Sequence, residues 1–204
     1  MNASFVLQPG NPELEPRRGD PPLTTRPSRQ QPFPHQQLTQ TAPIGLQEEL
    51  FARVLTLSGV STGDSCVSVP GAGAFILDPA LAAGPTAAFQ CATEFAHLHP
   101  PGDGSLHIAL PPDLYQAVQA ADWGDPHPIS GTMLVFGPRD ERELEIVWQI
   151  VIASYRFALG DWPDTAPATP TADASGDVAE LASFTRGGPN DPHARVRDDG
   201  PGAV

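Results

Sequence analysis

Two proline-rich stretches limit how much of this chain can fold around a core. Eight of the 25 prolines fall within residues 1–42, and residues 161–204 are similarly rich in proline, glycine and polar residues. Such segments have too little apolar surface to offset the entropy lost on ordering. We therefore expect a disordered Pro-rich N-terminal tail (1–42), one folded domain (43–160) and a disordered acidic C-terminal tail (161–204). The middle part is long enough to form a single core.

The charge of the predicted domain excludes several kinds of partner. Residues 43–160 hold thirteen acidic residues and four arginines, which gives −9 of the chain's net −13. This charge would repel nucleic-acid phosphates and anionic membrane surfaces, so we expect no nucleic acid and no membrane as partners. All basic residues are arginine, which excludes chemistry that depends on a Schiff-base or P-loop lysine.

The two cysteines and the apolar runs bear on location. Cys66 and Cys91 show no metal-binding spacing, and we interpret them as buried thiols. No stretch approaches the ~18 apolar residues of a membrane span, and no signal peptide is evident. These features predict a cytoplasmic protein.

The spacing of apolar residues predicts an α+β fold, a mainly antiparallel sheet with helices packed on one face. We expect helices over residues 44–58, 111–121 and 140–160. We expect strands over residues 65–70, 71–77, 87–99, 105–110 and 132–136.

Three of the six histidines lie in one predicted hairpin, TEFAHLHPPGDGSLH (93–107). With residues 100–104 as the loop, alternation gives one apolar face and one face that carries Phe95, His97, His99, Ser105 and His107. His97 and His107 then face each other across the strand pair. A competing register, with a two-residue turn at Asp103–Gly104, would place two prolines inside the ladder, so we prefer the five-residue loop.

The histidines allow three interpretations. His97, His99 and His107 could bind a single divalent metal such as iron or zinc, completed by a carboxylate or water. Strict alternation places Glu94 on the opposite face, so a bulge would be needed to bring it in, unless Asp103 serves. The histidines could instead form a metal-free acid/base cluster in which neighbouring imidazoles keep one ring neutral near pH 7. They could also be ordinary polar residues, either on a solvated strand face or hydrogen-bonded to loops.

Other residues could contribute to a substrate site. His127 lies in a loop between prolines, where it could bind a ligand or cap the loop. Trp123 could wall a pocket or close the core, and Phe95 shares the predicted histidine face. Arg139 precedes a helix, where it could bind an anionic oxygen or simply pair with Asp140 or Glu143. We set His35 and His193 aside because they lie in the predicted tails.

Several segments together resemble a known family. They are SVPGAGAF (68–75), EFAHLHPPGDGSLH (94–107), ALPP (109–112), WGDPHP (123–128) and FGPRDERELE (136–145). They resemble the bacterial branch of the luciferase-like domain family, named after the fungal luciferase that oxidises a hydroxylated styryl-pyrone. The resemblance covers residues 65–158 and matches positions His97, His99, His107 and His127. It departs from the family at Gly73, where a basic residue is expected, and in the short stretch from His127 to Gly131.

The resemblance implies an oxygen-dependent enzyme that acts on a small phenolic or pyrone-like ring without flavin or nicotinamide. In this hypothesis one imidazole is the base, and Arg139 and His127 stabilise negative charge on oxygen. The alternative is a non-catalytic module that binds a small ligand or a metal and acts with a protein partner.

Overall fold

The structure, a computed structural model, describes residues 6–31 and 33–163. It has three α-helices and six strands in this part of the chain. The helices are α1 (Ile44–Val54), α2 (Pro112–Ala120) and α3 (Glu141–Ala158). The strands are β1 (Val60–Asp64), β2 (Gly73–Leu77), β3 (Glu94–Leu98), β4 (Leu106–Ile108), β5 (Gly124–Pro126) and β6 (Met133–Val135). The fold class is α+β, as predicted.

The six strands form one antiparallel sheet in the order β1-β2-β3-β4-β6-β5. Its central strands, β3 and β4, are buried along their whole length. Asp140 caps the N-terminus of α3, and its side chain accepts a hydrogen bond from the backbone N–H of Glu143. This helix packs on the apolar face of the sheet, where Leu98, Leu106 and Ile108 join the core.

The predicted elements differ from the structure at the sheet edges. Strand β1 replaces the predicted strand 65–70, which is a bent segment, and β5 was not predicted. The residues of β1 after Val60 are exposed and those of β5 are half-buried, so neither strand carries an apolar alternation that a sequence pattern could show. The predicted strand 87–99 shortens to β3 because a 3₁₀ turn (Thr86–Ala88) precedes it.

The described part of the predicted N-terminal tail packs on the domain, which departs from the expected disorder. Leu7, Arg17, His35 and Gln37 are all buried. The backbone N–H of Arg17 donates to the carbonyl of Ala121, and its guanidinium lies over the ring of Phe136. This segment has no apolar stripe, so its polar contacts to the domain are what offset the entropy lost when it is ordered.

Trp162 extends the folded part slightly into the predicted C-terminal tail. Its ring is 2% exposed, and its Nε1 donates to Asp113 Oδ1 at 3.0 Å. The rest of that predicted tail, residues 164–204, lies outside the described residues.

A disulfide joins Cys66 to Cys91, so the interpretation of these cysteines as free thiols was wrong. The two residues are 25 positions apart, and no sequence pattern marked them as a pair. Disulfides are typical of oxidising compartments, which weakens the basis of the cytoplasmic prediction. Within the described residues no helix is long and apolar enough to cross a bilayer.

We expect the double substitution Cys66→Ser/Cys91→Ser to lower the free energy of unfolding by about 2–4 kcal/mol, because the unfolded chain gains freedom. Urea denaturation would measure the loss. A reducing agent should produce a similar loss in the native protein and none in the double variant. Equal stability of both proteins would contradict a disulfide at this position.

Candidate functional site: a buried histidine cluster

The predicted hairpin register is the one that the structure shows. His97 pairs with His107 across β3 and β4, and the backbone N–H of His99 donates to the carbonyl of Ser105. Two glycines with positive φ, Gly102 and Gly104, form the loop, a conformation that glycine adopts without strain. The three imidazoles therefore share one face, with ring centroids 5.2–5.5 Å apart.

A β-bulge in β3 reverses the faces of the sheet on which two residues, Glu94 and Phe95, were predicted to lie. Phe75 pairs with Ala96 and Ile76 with Glu94, so Phe95 is the extra residue. Phe95 is fully buried in the core against Phe75 and Tyr155, and its predicted place on the histidine face was wrong. Glu94 takes the place on the histidine face that Phe95 would have had.

Glu94 forms the first of two close carboxylate–imidazole pairs. Its Oε1 lies 2.7 Å from His97 Nδ1, and both side chains are at most 3% exposed. Glu94 also accepts hydrogen bonds from the Ser65 hydroxyl (2.8 Å) and the Cys66 backbone N–H (3.3 Å). A carboxylate that accepts from all its partners places the His97 proton on Nδ1. Burial lowers the pKa of His97 more than Glu94 raises it, so the ring is neutral at pH 7.

Asp103 forms the second pair from the hairpin loop. Its Oδ2 lies 2.7 Å from His99 Nδ1, and its Oδ1 accepts from the backbone N–H and hydroxyl of Ser105. Burial would raise the pKa of Asp103, but the hydrogen bonds from His99 and Ser105 outweigh it and lower that pKa. The ionised Asp103 therefore holds the His99 proton on Nδ1. Within the described residues, Nε2 of His97 and Nε2 of His99 have no hydrogen-bond partner.

His107 is held by hydrogen bonds at both ring nitrogens. Nδ1 lies 3.1 Å from the Thr132 hydroxyl, and Nε2 donates to the backbone carbonyl of His35 at 3.2 Å. Burial, followed by the neighbouring imidazoles, lowers the pKa of His107 well below its ordinary value. His107 is thus a neutral ring whose two nitrogens are both used within the protein.

His127 and His35 complete a histidine cluster, which we define as His35, His97, His99, His107 and His127. The His127 centroid lies 5.4 Å from His107 and 5.2 Å from His35. Its Nδ1 accepts from the backbone N–H groups of Ile129 and Ser130, which places its proton on Nε2. His35 had been set aside with the tail, because no sequence pattern connects it to the hairpin.

The metal interpretation of His97, His99 and His107 does not fit this arrangement. His107 has no ring nitrogen left for a ligand bond, since Thr132 and the His35 carbonyl occupy both. Across residues 6–31 and 33–163, no group of three or more His, Cys, Asp or Glu residues is arranged to hold a metal ion. The geometry favours the acid/base interpretation, in which each carboxylate sets the tautomer of one ring.

Two predicted substrate contacts lie elsewhere. Arg139 pairs with Glu143 and donates to Gln40 and the Arg18 carbonyl, so it anchors the N-terminal segment. Trp123 is 1% exposed in the core, and its Nε1 donates to the Glu15 carbonyl at 2.6 Å. Neither residue contacts the histidine cluster through any bond in the described part of the chain.

The N-terminal segment covers the cluster. We call residues 23–31 and 33–38 the cover hairpin, because Thr24 pairs with Gln37 and Leu38 donates to the Leu23 carbonyl. Its contacts to the domain include the His107–His35 hydrogen bond, the Gln37 N–H that donates to Asp103 at 3.3 Å, and the Thr24 hydroxyl that donates to Asp125 at 2.6 Å. All five cluster histidines are at most 7% exposed.

The buried neutral histidines predict that stability falls as the pH drops below about 6.5. The pKa values of His97 and His107 are lower in the folded protein than in the unfolded chain. At pH values between the folded-state and unfolded-state pKa, these histidines are protonated in the unfolded chain but not in the folded protein. Their contribution is therefore complete above the unfolded pKa and is lost toward lower pH, at up to about 1.4 kcal/mol per pH unit for each ring.

Urea denaturation at pH 5, 6, 7 and 8 would measure this dependence. The variant His107→Gln, which cannot be protonated, should show a shallower decline between pH 7 and 5 than the native protein. A native stability that does not change over this range would contradict the burial of neutral rings.

Fold and site together define the class of protein: an α+β domain with a buried cluster of tautomer-fixed histidines on one face of an antiparallel sheet. Residues 92–154 match the family model described as "Luciferase domain". This span contains every histidine of the cluster except His35. The matched residues run from just before β3 into the last part of α3.

Fungal luciferases are similar to the same part of the chain. The luciferase of Armillaria ostoyae is 34% identical over 77 residues, which covers 33% of this chain and 29% of that protein. The luciferase of Neonothopanus nambi is 32% identical over 77 residues, with the same coverage. The aligned part of the chain thus spans less than a third of the length of these curated relatives. The matches do not distinguish a bacterial branch, and no solved structure matches the chain significantly.

Proposed function

We propose that this protein is an enzyme that uses oxygen to oxidise a small phenolic or pyrone-like ring, with His97 as the base. The observation that carries this proposal is the Glu94–His97 pair. Nδ1 of His97 is bound to the carboxylate, and Nε2 has no partner within the described residues. A neutral imidazole held in this tautomer is suited to removing a proton at Nε2.

The chemistry assigned to His97 is the removal of a proton from a ring hydroxyl. The ring oxyanion that results is electron-rich, and one of its ring carbons forms a C–O bond with dioxygen. The electron pair of this bond comes from the ring, the O–O π bond breaks, and the negative charge passes to the outer oxygen of the resulting peroxide, so dioxygen is the oxidant. The proton stays on His97, where Glu94 stabilises the charged imidazolium. His99, held by Asp103 in the same tautomer, presents a second Nε2 on the same face, and this nitrogen also has no partner in the described part of the chain. Arg139 has no part in this step because its guanidinium is bound to Glu143.

The cluster rings are buried and packed against one another, so a ligand reaches His97 only if part of the protein that buries it moves. We assign this movement to the cover hairpin, which bonds to His107 and Asp103 beside His97 and His99. The cover hairpin is held to the domain by polar contacts at His107, Asp103 and Asp125, so a ligand that offers its own hydrogen bonds can replace those at the cluster. The resemblance to luciferases supports a ring with a hydroxyl group as that ligand.

Oxygen uptake by the purified protein tests the proposal. A panel of hydroxylated pyrones and catechols should include at least one compound that supports oxygen consumption above the rate without protein. The same rate after treatment with a metal chelator is expected for a metal-free acid/base site. If no compound supports oxygen uptake while one of them binds, the non-catalytic ligand-binding alternative is favoured.

A further inference from the structure

Within residues 6–31 and 33–163, one buried ring nitrogen of His35 has no hydrogen-bond partner. This atom is Nδ1, and the residue is only 3% exposed. An unsatisfied buried polar atom is costly, and native proteins satisfy most of them with protein, water or a ligand. Its position in the histidine cluster therefore points to a group that binds there.

The other side of the His35 ring determines which kind of group this is. Nε2 lies 3.4 Å from Asp125 Oδ2, and Asp125 also accepts from the Thr24 hydroxyl at 2.6 Å. Hydrogen bonding to His35, and then to Thr24, lowers the pKa of Asp125 against the effect of its partial burial. An ionised carboxylate accepts, so Nε2 of His35 donates and Nδ1 of the neutral ring is left as an acceptor.

The missing partner of His35 is thus a hydrogen-bond donor. The ring centroids of His107 and His127 lie 5.1 and 5.2 Å from that of His35, but His107 donates to the His35 backbone carbonyl instead. Thr132 lies on the far side of His107 and bonds to its Nδ1.

We propose that the cover hairpin is part of the ligand site and that His35 Nδ1 accepts a hydrogen bond from a hydroxyl of the bound ring. This inference rests on the proposed function for the kind of ligand. It assigns a role to a residue outside the span 92–154 that matches the luciferase domain. His35 distinguishes a hydroxyl from a methoxy group at the same ring position, because only the hydroxyl can donate.

Binding of a matched pair of probes tests His35. The probes are phenol and its methyl ether anisole, with catechol and its dimethyl ether as a second pair, measured by titration calorimetry at pH 7. The native protein should bind the hydroxyl compound of at least one pair roughly five- to tenfold more tightly than its ether, the effect of one hydrogen bond.

Two substitutions of His35 test the roles of its two ring nitrogens one at a time. His35→Gln keeps a polar group near the Nε2 position and removes the acceptor at Nδ1. This variant should therefore bind the hydroxyl compound and its ether with about equal affinity. His35→Asn places an amide oxygen near the Nδ1 position and should retain part of the preference. His193→Gln, outside the described residues, is the matched control and should behave like the native protein.

The outcomes are distinct for the two proposals. An unchanged preference in His35→Gln, or no binding of either pair by the native protein, would overturn the role of His35. A preference that depends on His35 without any oxygen uptake would support His35 and count against the proposed oxidation. Thermal denaturation of each variant would show whether a lost preference reflects unfolding.

Discussion

Replacement of His97 by glutamine is expected to lower ligand-dependent oxygen uptake about 10²–10⁴-fold, the usual contribution of a general base. Glutamine keeps a polar side chain of similar reach but cannot accept a proton at neutral pH. The reason lies in the Glu94–His97 contact of 2.7 Å, which leaves Nε2 as the basic nitrogen. Initial rates measured with an oxygen electrode, at saturating ligand, would show the loss.

Two further variants make this first prediction specific. His99→Gln removes the imidazole of the second carboxylate–imidazole pair. If His97 is the base, this variant should lower the rate of oxygen uptake less than His97→Gln does. Glu94→Gln removes the carboxylate that sets the His97 tautomer, so it should lower the rate and shift the pH dependence of oxygen uptake. An unchanged rate in His97→Gln, with the fold intact, would exclude His97 as the base.

The second large effect is expected from Phe95→Ala, which should lower the free energy of unfolding by about 3–5 kcal/mol. The bulge in β3 turns the Phe95 ring into the core, where it contacts Phe75 and Tyr155 of α3. Removal of a fully buried ring leaves a cavity that the surrounding core fills only partly. Urea denaturation would measure the loss.

Phe33→Ala is the matched control for Phe95→Ala. Phe33 is half-buried and lies in the cover hairpin rather than in the hydrophobic core. Phe33→Ala should therefore lower the free energy of unfolding by about 1 kcal/mol or less. A small stability loss in Phe95→Ala, together with weakened ligand binding, would instead place the ring on the histidine face and contradict the bulge.

The sequence predicted the central hairpin well because three independent signals agree there. The alternation of Leu98, Leu106 and Ile108 determines the face, the two prolines exclude the shorter turn, and the glycines permit the loop. The pairing of His97 with His107 follows directly from that register. The same alternation predicted the wrong face for Phe95, because a β-bulge inserts one residue there and a single inserted residue cannot be recognised in an alternating sequence pattern.

Other parts of the site could not be predicted from local patterns. His35 reaches the cluster from a segment that has no apolar stripe, and its contacts lie 72 residues away in the chain, at His107. The disulfide between Cys66 and Cys91 depends in the same way on long-range packing. Arg139 illustrates the reverse case, since a helix-start arginine suits an anion site but here pairs with Glu143.

The central claim is that Glu94 and Asp103 each fix the proton of one buried imidazole on Nδ1. Two-bond ¹H–¹⁵N correlation spectra of protein labelled at histidine would test it at pH 7. We expect His97 and His99 to show a protonated Nδ1 and an unprotonated Nε2, with the His97 signature lost in Glu94→Gln and the His99 signature lost in Asp103→Asn. Rings that exchange freely between tautomers, or carry the proton on Nε2, would contradict the account.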